Sequence, residues 1–172
     1  MTAARSARML RVDQAGEFGA TVIYAGQLAV MGDRAKYSPE VTAMAAQEED
    51  HRRRFDALIA KRGVRPTALR PLWSVAGFAL GAATALISPE AAMACTAAVE
   101  TEIDKHYTAQ LAELEDGADP ELAALIEEFR DDEREHRDLA LASGAERAPA
   151  YPLLSGAIRL GCRLAIRLSE RI

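Results

Sequence analysis

A Glu-x-x-His pattern occurs twice in this chain, as Glu48-Glu49-Asp50-His51 and as Glu133-Arg134-Glu135-His136. On a helix each copy places a carboxylate and an imidazole one turn apart on the same face. A lone glutamate precedes each copy: Glu17 lies 31 residues before Glu48, and Glu100 lies 33 residues before Glu133. The chain thus reads Glu…Glu-x-x-His twice, the ligand arithmetic of a carboxylate-bridged two-metal site in a four-helix bundle. One copy alone would mean little, because glutamate is a good helix former and such pairs are common on helix surfaces. Context decides. All four glutamates fall in register with apolar residues, at positions that would otherwise face the core. Four carboxylates buried together would be very costly, whereas two divalent cations balance their charge.

The expected fold is all-α, a four-helix bundle carrying a two-metal centre, with two additional apolar or amphipathic helices. At 172 residues the chain is read as one domain spanning 1–172. Alanine and leucine are abundant and β-branched residues sparse, which favours helix. Bundle helices are expected over about 10–31, 39–62, 89–115 and 120–143. Leu10, Glu17, Tyr24, Leu28 and Met31 form the first stripe, and Gly32-Asp33 closes it. Ser38-Pro39-Glu40, Ser88-Pro89-Glu90 and Asp119-Pro120-Glu121 repeat one start signature: a capping side chain, a proline for the first turn and an acid suited to the dipole. Inward faces follow as Val41, Met44, Glu48, His51, Phe55 and Leu58; as Met93, Glu100, Ile103, Tyr107, Leu111 and Leu114; and as Leu122, Ile126, Phe129, Glu133, His136 and Ala140. Glu49, Asp50 and Glu135 point off these stripes. Glu102 competes with Glu100, but Glu100 shares its face with Ile103 and Tyr107 and is preferred.

Pro71 to Pro89 is a run of 19 residues without a charge, diluted by Gly77, Gly81, Ser74, Thr84 and Ser88. The apolar segment 71–88 reads three ways: a buried arm of the bundle, a segment dipping into one membrane leaflet, or a full span. The last helix, 153–172, carries Arg159, Arg163, Arg167 and Arg171 every four residues among leucines and isoleucines. That stripe suits either solvated arginines on a packed helix or a helix lying at an anionic lipid surface.

Net charge −5 and a pI near 5.3 argue against a general nucleic-acid binder. Cys95 and Cys162 form no C-x-x-C pair and no disulfide framework. Residues 1–9 include Arg5 and Arg8 but no apolar run, so no secretory signal is expected. Four carboxylates and two imidazoles suit iron or manganese better than a closed structural zinc site, and so few ligands for two metals leave positions open for dioxygen. No Gly-rich dinucleotide fingerprint is present.

Val12-Asp13-Gln14-Ala15-Gly16-Glu17, Arg65-Pro66 with Pro71-Leu72-Trp73, Gly77-Phe78-Ala79-Leu80-Gly81 and Ala92-Met93-Ala94-Cys95-Thr96 resemble the demethoxyubiquinone hydroxylase family of ubiquinone biosynthesis. So do Ala148-Pro149-Ala150-Tyr151 and Leu168-Ser169-Glu170-Arg171, and the likeness runs from about Leu10 to Ile172. Gln14 departs from it, since relatives often carry His there, but it is not a ligand position. The resemblance implies a ferritin-like four-helix bundle with a di-iron centre, in which Glu17, Glu48, His51, Glu100, Glu133 and His136 ligate two iron ions, with Glu48 and Glu133 bridging. It implies a monooxygenase that uses dioxygen and external electrons, traceable to NADH, to hydroxylate the ring of a polyprenylated demethoxyubiquinone. It also implies a peripheral membrane protein on the cytoplasmic face of a bacterial cell membrane, served in some members by a lipid-binding accessory protein. It favours the leaflet reading of both apolar segments, and a homo-oligomer is compatible with it. His106 and Tyr107, about two turns beyond Glu100, resemble substrate or electron-relay residues; surface exposure of His106 and core packing of Tyr107 are the plain alternatives. A ferritin-like iron oxidase or iron-binding protein is the main rival, because it would use the same six ligands without needing the apolar segments.

Overall fold

The computed structural model describes residues 3–114 and 117–172. Within them, in order, run α1 (Ala3–Met31), α2 (Ser38–Arg62), α3 (Arg70–Ile87), α4 (Pro89–Leu114), α5 (Pro120–Ala142), a short 3-10 turn (Ala145–Arg147) and α6 (Tyr151–Ser169). The architecture is an all-α bundle. α1 packs on α2 and α3, and α4 packs on α5 and α6, while α3 also touches α4. The expected end of the third bundle helix at 115 lies outside the described residues.

Local chemistry explains most helix starts. Ser88 Oγ accepts from the Ala91 amide at 3.0 Å, and Asp119 Oδ1 accepts from Leu122 N at 3.2 Å, so both act as caps. Ser38 does not. The residue ahead of the helix is Tyr37, at φ 70°, and the Ser38 amide donates to Ala35 O at 3.1 Å. That left-handed turn admits Ser38 already inside the helix, where its hydroxyl is buried without a partner. Tyr37 is held in this unfavourable conformation partly by its hydroxyl, which accepts from Arg147 Nη2 at 3.0 Å. α2 ends where Gly63, at φ 63°, takes the left-handed position that costs other residues a Cβ clash.

Two starts lie ahead of the expected ones. α1 begins at Ala3 rather than near Leu10, and Arg5 ties its first turns to the end of α4 through Glu113 at 2.8 Å. α6 begins at Tyr151 because Pro152 sits inside its first turn, where no amide hydrogen is required; the helix stops at Ser169, short of 172.

The metal-motif residues lie mid-bundle, between two apolar clusters. Leu10, Phe55, Ile103 and Phe129 belong to one cluster; Tyr24, Met44, Ala97 and Ala140 belong to the other. Each motif glutamate falls between a member of each on its own helix. Phe55 and Phe129 meet edge to face, centroids 5.3 Å apart, an arrangement worth about 0.5–1.5 kcal/mol beyond area burial.

α3 is not a buried arm. Only Gly81, Thr84 and Ala85 are buried on it, while Val75 and Leu86 are more than 70% exposed. It is held by very close backbone contact with α1: a Cβ on Gly81 would lie 2.0 Å from Ile23 O, and one on Gly26 2.2 Å from Phe78 O. Trp73 Nε1 donates to Ser169 Oγ at 3.1 Å, so the start of α3 meets the end of α6. Among the described residues α3 is the one helix long and apolar enough to cross a membrane by length and composition.

Candidate metal centre

The six sequence-predicted residues converge. Glu17 on α1, Glu48 and His51 on α2, Glu100 on α4, and Glu133 and His136 on α5 are each no more than 3% exposed. They form two groups: Glu17, Glu48, His51 and Glu133; and Glu48, Glu100, Glu133 and His136. In each, the donor atoms lie within 4.8 Å of one another, and Glu48 and Glu133 belong to both.

The donor atoms themselves fit cations. Glu17 Oε2, both Glu48 oxygens, Glu100 Oε2, both Glu133 oxygens and the Nδ1 atoms of both histidines are buried without hydrogen-bond partners. Their mutual contacts include ion pairs, His51 Nδ1 to Glu17 Oε2 and Glu133 Oε1 at 3.4 Å and His136 Nδ1 to Glu48 Oε1 at 3.1 Å, so carboxylates this deeply buried must either keep protons or meet further positive charge. Burial, reinforced by the neighbouring carboxylates, holds the carboxyls of Glu48 and Glu100 well above the usual range. Burial also raises Glu133. Burial opposes charging of His51, but Glu133 and Glu17 outweigh it and hold the imidazole up at about 10. Burial lowers His136. A cation taking these atoms displaces protons and removes the repulsion.

Partner residues are exchanged between the two halves. Tyr24, seven residues beyond Glu17, donates its hydroxyl to Glu100 Oε1 at 2.9 Å; Tyr107, seven beyond Glu100, donates to Glu17. Asp132, immediately before Glu133, accepts from His51 Nε2 at 3.0 Å; Gln47, immediately before Glu48, has its Oε1 3.0 Å from His136 Nε2. A carboxylate only accepts, and an amide oxygen only accepts, so each ring presents its unprotonated Nδ1 inward once a cation binds. The sequence reading missed Asp132, Gln47 and the role of Tyr24. Glu-x₆-Tyr and a polar residue ahead of each Glu-x-x-His were the signals, present once in each half.

His106 and Tyr107 sit at the flank of the centre. Tyr107 is buried but does more than pack, since it bonds Glu17. His106 is half-buried, its Nε2 3.1 Å from Asp13 Oδ1, at a cavity of about 190 Å³ lined also by Arg5, Arg8, Met9, Val12 and Gln110. Gln14 ties α1 to α2, donating to Asp56 Oδ1 at 2.9 Å. Glu102 is buried yet excluded from both donor groups. It faces Arg159 at 2.7 Å, Lys105 at 3.0 Å and Arg163 at 3.3 Å; burial would raise its carboxyl, but Arg159 and Lys105 outweigh it and hold it below the usual range. Arg159 and Arg163 are thereby tied to α4, while Arg167, near the end of α6, and Arg171, beyond it, stand exposed.

The family model described as "Ubiquinone biosynthesis protein COQ7" matches residues 4–169. A Rhodospirillum rubrum protein named 3-demethoxyubiquinol 3-hydroxylase is 57% identical over 165 residues, covering 96% of this chain and 77% of that protein. A human protein named NADPH-dependent 3-demethoxyubiquinone 3-hydroxylase, mitochondrial, is 53% identical over 169 residues, covering 96% and 77%. A Saccharomyces cerevisiae protein named 5-demethoxyubiquinone hydroxylase, mitochondrial, is 46% identical over 180 residues, covering 96% and 77%. With nearly its whole length matched by that model and by relatives of this identity, the chain belongs to the COQ7 family of ubiquinone biosynthesis proteins.

Proposed function

We propose that this chain, working as one domain, is a di-iron monooxygenase that hydroxylates the quinone ring of a polyprenylated demethoxyubiquinone. The single observation that carries the reading is the pair of donor groups sharing Glu48 and Glu133, in a chain whose relatives are named for that hydroxylation. Glu17, Glu48 and His51 with Glu133 would hold one iron, and Glu100, Glu133 and His136 with Glu48 the other, so Glu48 and Glu133 would serve both. When bound, the irons supply the dioxygen-activating redox chemistry of the reaction. Tyr24 and Tyr107 restrain the terminal carboxylates, while Asp132 and Gln47 fix the imidazole tautomers. The apolar clusters on either side keep bulk water from the centre.

The substrate tail and the exposed apolar side chains support work at a membrane surface. Leu72, Val75, Phe78, Leu86 and Ile87 on α3 and Leu153, Leu160 and Leu164 on α6 are solvent-exposed, an uncommon arrangement unless something apolar covers them. We read the protein as peripheral on the cytoplasmic face of a bacterial membrane, with a lipid-binding accessory protein or a second copy as further partners. Electrons come from a reduced nicotinamide; the resemblance pointed to NADH, whereas relatives are named NADPH-dependent. His106 and Tyr107 serve as substrate-side residues in this reading, since His106 opens on a cavity and Tyr107 bonds Glu17.

The test is quinone analysis of a hydroxylase-deletion strain carrying this chain or its Glu48→Ala variant. The native chain restores ubiquinone and the variant accumulates demethoxyubiquinone. Restoration by both sinks the metal mechanism, and restoration by neither favours the iron-oxidase rival.

A further inference from the structure

The two halves match in their ligands but not in what holds the imidazoles. His51 Nε2 faces a carboxylate, Asp132 Oδ2 at 3.0 Å, and His136 Nε2 faces an amide oxygen, Gln47 Oε1 at 3.0 Å. Asp132 and Gln47 occupy the same place in the two motifs, one residue ahead of the glutamate. A second difference lies four residues ahead of each glutamate, where one half has Phe129 and the other Met44. Phe129 stacks on His51 with centroids 3.8 Å apart, and the Arg54 guanidinium covers the Phe129 ring at 4.7 Å. Among the described residues the nearest ring paired with His136 is His51 itself, at 6.4 Å. Glu17 and Glu100 do not offset this inequality, since each accepts from one tyrosine.

An imidazole whose outer N–H is held by a carboxylate donates more strongly through its inner nitrogen than one held by an amide. Such outer partners change metal affinity by about 10–100-fold. Asp132 also places one more negative charge beside the first donor group than Gln47 places beside the second. We propose that the two cation positions are unequal by construction. The position served by His51 fills first, and the Asp132–Gln47 difference sets that preference. This rests on the reading that the six residues hold two cations. Within it, Asp132 and Gln47 are positioning residues that act through the imidazoles.

The preference is measured by adding one equivalent of Co²⁺ to metal-free protein labelled with ¹⁵N-histidine, and reading which imidazole shows the large contact shift of direct coordination, beyond the through-space shift that reaches both rings 6.4 Å apart. His51 should be the occupied ring by about ten-fold or more over His136. Asp132→Asn, which keeps an acceptor but removes the charge, should even the two populations. Gln47→Glu should even them from the other side while leaving Asp132 in place. Equal occupancy in the native chain, a preference for His136, or a His51 preference unchanged in both variants overturns the proposal. Absence of shifts at either ring overturns the two-cation reading itself, which separates the two failures.

Discussion

The hydroxyl of Tyr24 lies 2.9 Å from Glu100 Oε1, although Tyr24 belongs to the helix that carries Glu17. A terminal carboxylate is therefore steadied by the opposite half of the bundle. Tyr24→Phe removes the donor and leaves a buried acceptor unpaired, at about 1–3 kcal/mol. Chemical denaturation of the metal-free variant should show that loss, and cation binding should weaken with it. An unchanged midpoint would mean that the contact contributes nothing.

Stability should depend on pH with a definite sign. Glu48 and Glu100 have raised carboxyl pKa values, so the folded chain keeps protons that the unfolded chain releases. Their contribution is full below the ordinary carboxylate range and is lost as pH rises above it. His51, raised from 6.5 to about 10, adds a contribution that is full below the first value and gone above the second. Metal-free protein should lose melting temperature as pH is raised from about 5 to about 9, while the gain on adding Mn²⁺ grows over the same range. A metal gain independent of pH would show that no protons are displaced.

The seat of α3 on α1 can be tested with one added carbon. Alanine normally stabilises a helix interior by about 0.5–1 kcal/mol over glycine. Gly161→Ala on α6, where nothing lies within 4 Å of the new carbon, should show that gain. Gly81→Ala instead drives a Cβ to 2.0 Å from Ile23 O, so the helices must part and stability should fall. Thermal unfolding and proteolysis of α3 report the difference. Equal behaviour of the two variants would remove the close-contact argument.

Leu86 and Leu153 are 74% and 78% exposed, one on α3 and one on α6. Replacing both with glutamate should leave the melting temperature in solution nearly unchanged, because neither packs on the core. Each buried leucine is worth about 1.5–3 kcal/mol, so vesicle affinity should fall by at least about ten-fold per site. Co-sedimentation with phosphatidylcholine–phosphatidylglycerol liposomes measures it. Unaltered sedimentation would place the contact surface elsewhere.

Repetition made the centre legible. Glu17, Glu48, His51, Glu100, Glu133 and His136 stand in register with apolar stripes, and periodicity is visible within one helix. The exchanged partners were not visible in that way, because Tyr24–Glu100 and Asp132–His51 join helices far apart in sequence. Ser38 misled for a local reason: its signature matched Ser88 and Asp119, but the left-handed Tyr37 shifted the start by one residue. The arginine stripe of α6 read as a surface feature because the buried Glu102 that consumes Arg159 and Arg163 lies on another helix.

The exchange of tyrosines and of outer imidazole partners makes the two halves of the bundle interdependent. Neither half is self-sufficient, since Glu17 and His51 are completed from α4 and α5, and Glu100 and His136 from α1 and α2. A peptide carrying one half could finish its centre only by associating with a second copy of itself. The centre is in effect a homodimer interface enclosed in one polypeptide. α3 is the covalent joint that makes the meeting of the two halves intramolecular, so the paired positions Asp132 and Gln47 need not be identical.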